Sequence, residues 1–200
     1  MRKRKREELI LRAHRERWLR DALEELRPHF ADRGYSVPDD IRISVREEQE
    51  MKNCFGIFHP GYKMRPGTAV NDPKWMRGAN YPKETPRGWS VMRPAEIWLS
   101  EELTQSLWSI GILAHEIVHA CMPASENHGS LFQECALAIG LLEDGKEIED
   151  ADTCEPLNAA CFAGHLPLQN EEFRSLAGDI FMRIGEYPSK TQMRKGLLSS

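Results

Sequence analysis

Residues 103–121 carry a wide apolar stripe at helical spacing, and three ionisable side chains interrupt it. These are His115, Glu116 and His119, in the pattern HExxH. Residues four apart on a helix lie one turn apart on the same face, so both imidazoles can reach one point. Burying ionisable groups against a core is costly unless they have a role. The stretch predicts a core helix with a metal site, and histidines satisfied by core hydrogen bonds are the alternative.

The histidines and the glutamate of an HExxH pattern have different chemical roles. In metalloproteases the two histidines bind zinc, and the glutamate acts as general base on the water that the ion activates. Glu116 is offset by one residue from His115, so it can reach that water more easily than the ion itself. We therefore predict Zn²⁺ as the cofactor, His115 and His119 as metal ligands and Glu116 as the catalytic base.

A catalytic zinc site needs a third protein ligand and keeps its fourth position open. His128 lies nine residues after His119, beyond a loop that Pro123 separates from the helix. Such a loop can turn the chain back, so that the start of the next helix faces the histidine pair. Glu126 and Glu134 are alternative ligands, and His128 is the favoured one.

The remaining periodicity predicts an α+β domain, with a small sheet beside three or four helices. Apolar spacings of three and four residues indicate helices, and alternation of apolar and polar residues indicates strands. The predicted elements besides the HExxH helix are helices over 7–30, from Ser130 and near 170–184, and strands over 41–45, 54–58 and 95–100. Ser100 is the predicted N-cap of the HExxH helix, because the carboxylates of Glu101 and Glu102 would follow in its first turn.

The chain divides into a basic tail, residues 1–6, and one domain, residues 7–200, whose last part, 156–200, is a helical extension. Residues 60–94 are so rich in proline and glycine that they predict a long insert without a regular helix. Within it, aromatic side chains lie among lysines and arginines: Trp75, Tyr81 and Trp89. They either form a groove for an extended peptide or single-stranded nucleic acid, or hold the loop on the core.

The composition of the chain indicates the cellular compartment in which the protein is expected to act. No apolar run approaches the eighteen residues of a membrane span, and no apolar segment follows the basic start as it would in a signal peptide. The five cysteines are an odd number without a CxxC pair, which favours reduced thiols over a disulfide framework. We therefore expect a cytoplasmic monomer that meets no membrane.

The stretch "LAHEIVHACMPASENHGSLFQECALAIGL" resembles the core of SprT-like zinc metalloproteases, the family that includes Spartan. The shared pattern is HExxH, a short loop, His128-Gly129-x-x-Phe132 and then Gly140-Leu141. The segment "AEIWLSEEL", 95–103, also resembles the family's edge strand. The likeness is firm over 95–142 and fair over 7–58, and it is nearest to small SprT-like proteins of phages and bacteria.

The resemblance implies a zincin-like fold, an HExxH zinc metallopeptidase and a substrate that is itself a protein. It implies His115, His119 and His128 as zinc ligands and Glu116 as the base. In Spartan the substrates are proteins crosslinked to DNA, so DNA or a DNA-bound protein is a further expected partner. The chain departs from the family in two ways: its late cysteines cannot supply the paired CxxC motifs of some members' zinc ribbon, and the insert has no counterpart.

Two other functions stay open. One is a non-catalytic module that zinc stabilises, with the basic tail or the insert binding nucleic acid or a protein partner. The other is a metal-dependent hydrolase of another class, such as a ribonuclease of the three-histidine type. Glu116 favours peptide hydrolysis, because a nuclease has less use for a base at that position.

Overall fold

The computed structural model describes residues 2–51, 54–60, 62–63, 92–122, 128–141 and 169–191. In these residues the chain has a mixed α+β fold, as its periodicity predicts. The helices are α1 Arg2–Ala31, α2 Glu48–Met51, α3 Ser106–Cys121, α4 Ser130–Ala138 and α5 Glu171–Ile184. The strands are β1 Arg42–Arg46, β2 Gly56–His59, β3 Tyr62–Lys63, β4 Met92–Arg93 and β5 Glu96–Ser100.

Strand β5 is the middle strand of a three-stranded sheet, in the order β1-β5-β2. Strand β1 runs parallel to it, with Ile43 opposite Ile97, and β2 runs antiparallel, with Phe58 opposite Ile97. All three predicted strands are present, with slightly shifted ends. The edge position that the resemblance implies for 95–103 is wrong, however, because β5 is paired on both sides. Among the described strands, the edge strand that contacts α3 is β2.

Strands β3 and β4 continue the hairpin that β2 and β5 begin. His59 pairs with Glu96, and Tyr62, three residues further along, pairs with Arg93, three residues further back. The two ladders therefore keep a single register. The predicted insert 60–94 thus begins and ends within one β-hairpin.

One face of α1 lines the hydrophobic core. Leu19 and Leu26 are fully buried there, as their helical spacing predicts. The helix begins at Arg2 rather than at residue 7, so residues 2–6 of the predicted basic tail belong to the first turns of α1. Lys5 and Arg6 are exposed on these turns.

Helix α3 begins later than its sequence predicts. Ser100, the expected N-cap, is the last residue of β5: its N–H donates to the carbonyl of Phe55 at 2.9 Å, and its hydroxyl accepts from the N–H of Glu102 at 3.2 Å. The expectation was wrong because strand pairing holds the Ser100 backbone in the sheet, and its hydroxyl caps only a tight turn. The helix begins at Ser106, after Gln105, whose side chain makes no capping bond.

Helix α3 is the centre of the fold. It contacts β2 and β5 as well as α1, α4 and α5, and every residue from 109 to 118 is buried. It ends at Cys121, two residues before Pro123, because the residue preceding a proline is disfavoured in helical geometry. Neither α3 nor any other helix in the described part of the chain combines the length and apolarity needed to cross a membrane.

Helix α5 completes the core. The side chain of its N-cap, Asn170, accepts a hydrogen bond from the N–H of Phe173 at 2.8 Å, which satisfies one of the free donors of the first turn. Phe173, Ala177 and Ile180 are fully buried in the same cluster as residues of α1 and α3. The helix predicted near 170–184 is confirmed, and it belongs to the common core.

Candidate metal centre

Helix α3 brings two imidazoles to one place. His115 and His119 are four residues apart, and their ring centroids are 5.1 Å apart. His115 is 7% exposed, whereas His119 is half-buried near the end of the helix. Ile117 and Val118 beside them are fully buried. Packing of this apolar face against the core holds the turn that carries both rings.

The chain just before α4 brings a third imidazole to the pair. His128 Nε2 lies 3.1 Å from His119 Nε2 and 3.3 Å from His115 Nε2. Among the described residues these three form the group that can hold a metal ion, so the predicted trio does come together. Glu134 is exposed on α4 and lies outside the group, and Glu126 is not among the described residues.

The spacing of the three nitrogens fits a tetrahedral ion. With metal–nitrogen bonds of about 2.0–2.1 Å, the ligand nitrogens of a tetrahedral site lie roughly 3.3–3.4 Å apart. The observed Nε2–Nε2 distances of 3.1 and 3.3 Å are close to this value. Hydrogen bonds alone do not satisfy the group, because Nε2 of a neutral His128 can donate or accept one bond and faces two nitrogens. One cation among them accepts all three lone pairs.

The ring of Phe132 supports all three imidazoles. Its centroid lies 5.0 Å from that of His115, 4.5 Å from that of His119 and 4.6 Å from that of His128, and the side chain is 1% exposed. Phe132 comes from the first turn of α4, whereas two of the rings come from α3. This contact therefore fixes where α4 docks and how the three rings are oriented.

We expect Phe132→Ala to weaken both the fold and the metal site. Truncating a buried phenylalanine costs about 3–5 kcal/mol of unfolding free energy, and loosening the support of metal ligands lowers metal affinity on the order of tenfold or more. Urea unfolding and competition with a chelating dye measure the two effects. Leu131→Ala is the matched control on the same helix, because Leu131 is 46% exposed. An unchanged affinity in Phe132→Leu, which keeps more of the core volume, would limit Phe132 to a packing role.

Burial keeps the three histidines neutral. Burial, together with the neighbouring imidazoles, lowers the pKa of His115 to about 3 and that of His119 to about 2. Burial also lowers the pKa of His128. The neutral imidazole is the form that binds a metal ion, so the site is ready for a cation at pH 7.

Glu116 is buried against β2. Only 5% of the residue is exposed, and burial raises its pKa to about 8, although a hydrogen bond from the N–H of Phe58 opposes this shift. A nearby cation favours the charged form of a carboxyl group. A metal ion among the histidines would therefore favour the ionised carboxylate that a general base requires.

The contact between β2 and Glu116 was not among the features predicted from the sequence. A Cβ atom added at Gly56 would lie 2.4 Å from Oε1 of Glu116, so the carboxylate occupies the space that a side chain there would need. The available signal was a glycine inside a strand pattern, which often marks a close approach of other atoms to the backbone.

No protein-family model, no curated protein and no solved structure matches this chain. Membership of the SprT-like family therefore stays an expectation that rests on the motifs between His115 and Leu141. The aromatic residues of the insert and the late cysteines lie outside the described residues: Trp75, Tyr81, Trp89, Cys154 and Cys161. Binding of nucleic acid likewise stays a prediction.

Proposed function

We propose that the protein is a zinc-dependent endopeptidase of the SprT-like type, with a zincin-like arrangement of α3, α4 and β2. The observation that carries the proposal is the convergence of three imidazole Nε2 atoms beside a buried glutamate on the same helix. Three nitrogen ligands with a fourth position left open are typical of catalytic zinc, whereas structural zinc sites use four protein ligands.

His115, His119 and His128 would hold the ion. When bound, zinc polarises the scissile carbonyl and makes water a stronger nucleophile near neutral pH. Glu116 takes a proton from the attacking water as the oxygen adds to the carbonyl carbon. The same carboxyl group then gives that proton to the nitrogen of the leaving amine as the C–N bond breaks. Atoms and charge balance without any further reactant.

Among the described residues no strand pairs with the outer edge of β2, and this edge favours a peptide over other substrates. The carbonyl of Phe55 is bonded to the N–H of Ser100, so the backbone groups of Phe55, Ile57 and His59 face β5. Those of Gly56 and Phe58 alternate with them and face the other way. Apart from the N–H of Phe58, which Glu116 uses, these groups are suited to bind an extended peptide by β-strand addition.

The test is a digestion of unfolded protein by the zinc-loaded chain. We expect casein to be cut at internal peptide bonds, with new amino termini detected by mass spectrometry. Chelation with 1,10-phenanthroline should stop cleavage, and added Zn²⁺ should restore it. A parallel arm with a protein bound to DNA tests whether DNA-associated substrates are preferred, as the SprT-like resemblance implies. Absence of cleavage by protein that carries one zinc ion per chain would contradict the proposal.

A further inference from the structure

Glu116 leaves α3 in a different direction from the metal ligands. Successive residues on an α-helix point about 100° apart, since there are about 3.6 residues per turn. The carboxylate of Glu116 therefore points in a different direction from the imidazole of His115, and it lies against β2. A glutamate has three side-chain torsions, so an unsupported carboxylate would sample several positions.

Strand β2 provides the space for this carboxylate. A Cβ atom at residue 56 would lie 2.4 Å from Oε1 and 2.9 Å from Cδ of Glu116, and 2.8 Å from Cγ2 of Ile112. Contacts shorter than 3.0 Å are essentially never made by real Cβ atoms. Of the twenty residue types, only glycine fits here without displacing its neighbours. The atom closest to the added Cβ is Oε1 of Glu116, the proposed catalytic base.

The same strand provides a donor. The N–H of Phe58 donates to the carboxylate of Glu116. This N–H is free to do so because Phe58 belongs to the set of residues in β2 whose backbone groups face away from β5. Gly56 belongs to the same set and lies two residues before Phe58, so both present their backbone to the same side of the strand.

We infer that Gly56 and the backbone N–H of Phe58 are positioning residues for Glu116, forming a cradle on the edge strand that fixes the carboxylate beside the metal site. The inference rests on the proposed function and deepens it. In this position the carboxylate is held by β2 and can still accept a proton from water. Catalysis is sensitive to such placement, because an error of about 1 Å can lower a rate roughly 100-fold.

The first test is Gly56→Ala. We expect kcat to fall roughly 100-fold, with KM little changed, because the added methyl displaces the carboxylate and leaves the histidines in place. The pH profile of kcat should also shift, since the base loses its backbone donor. The absorption spectrum of the Co²⁺-substituted protein should be unchanged. Gly178→Ala is the matched control, because a Cβ there meets no atom within 4 Å. Equal kcat values and pH profiles for the two variants overturn the inference.

The second test removes the donor. Phe58→Pro deletes the N–H, and proline is tolerated on an edge strand where that N–H is not part of the ladder. Phe58→Ala removes the same ring but keeps the N–H. We expect kcat of Phe58→Pro to lie at least tenfold below that of Phe58→Ala, with Co²⁺ spectra alike. Equal kcat values for the two variants would count against a role for the hydrogen bond.

A third measurement needs no catalytic activity. Gly56→Ala should lower the melting temperature by a few degrees in the zinc-loaded wild-type background, because it displaces a buried carboxylate. In a Glu116→Ala background the same substitution should cost less, since the carboxylate is absent. Equal shifts in the two backgrounds overturn the cradle. If the wild-type protein cleaves nothing, the proposed function fails, whereas this double-mutant cycle still decides whether β2 positions Glu116.

Discussion

Glu116→Gln is expected to bind zinc as the wild-type protein does and to lose most of its peptidase activity. Glutamine has nearly the same shape, so it fits beside Gly56, but it cannot accept a proton from water. Loss of a positioned general base lowers kcat about 10²- to 10⁴-fold. The fold should not suffer, because burial disfavours the charged carboxylate and the amide avoids that cost. Elemental analysis measures the zinc that the variant retains. The kcat on a peptide substrate measures the activity that it loses.

The same variant separates an enzyme from a binding module. A chain in which zinc only stabilises the fold would keep all its properties in Glu116→Gln. Glu134→Gln is the control, since Glu134 is an exposed glutamate near the site with no place in the ligand group. If Glu116→Gln and Glu134→Gln cleave at the wild-type rate, the observed cleavage comes from another group or from a contaminant.

Features that depend on local geometry could be predicted from the sequence. The spacing of His115 and His119 determines their approach on any α-helix, and the apolar residues between and around them are enough to specify that helix. His128 reaches the histidine pair only if the intervening loop turns the chain back. A proline followed by small polar residues indicated such a loop. The predicted metal ligands are therefore the trio that the fold brings together.

Features that depend on distant pairing could not be predicted in this way. Ser100 has the side chain of an N-cap, yet pairing of β5 with β1 and β2 holds its backbone in the sheet. Nothing in the alternation of residues 95–100 says whether that strand is central or at an edge. The contact of Gly56 with Glu116 joins two segments far apart in the sequence. A glycine inside a strand indicates that other atoms approach its backbone, but the local pattern does not identify Glu116 as the residue that does so.

The energetics of the site connect its chemistry with its stability. Glu116 and His115 are almost fully buried, and the other two imidazoles are partly buried in contact with Phe132. Polar groups taken out of water without a full set of partners weaken a fold. The three converging Nε2 atoms are such groups until a cation binds them. The metal site should therefore contribute to folding as well as to catalysis.

Removal of the metal is accordingly expected to lower the melting temperature strongly. A ligand at about 1,000 times its Kd stabilises the folded state by roughly 4 kcal/mol, which for a chain of this size corresponds to about 8–16 °C. The ion also links α3 to the start of α4, so its loss frees two elements at once. Calorimetry with and without chelator near pH 7.5, where the buried imidazoles are neutral, measures this shift. His128→Ala should abolish the zinc-dependent shift, and His14→Ala should keep it, because His14 is exposed on α1 away from the trio. A shift of equal size in both variants would mean that zinc binds elsewhere, and a trio that binds no ion would leave these Nε2 atoms with an incomplete set of partners.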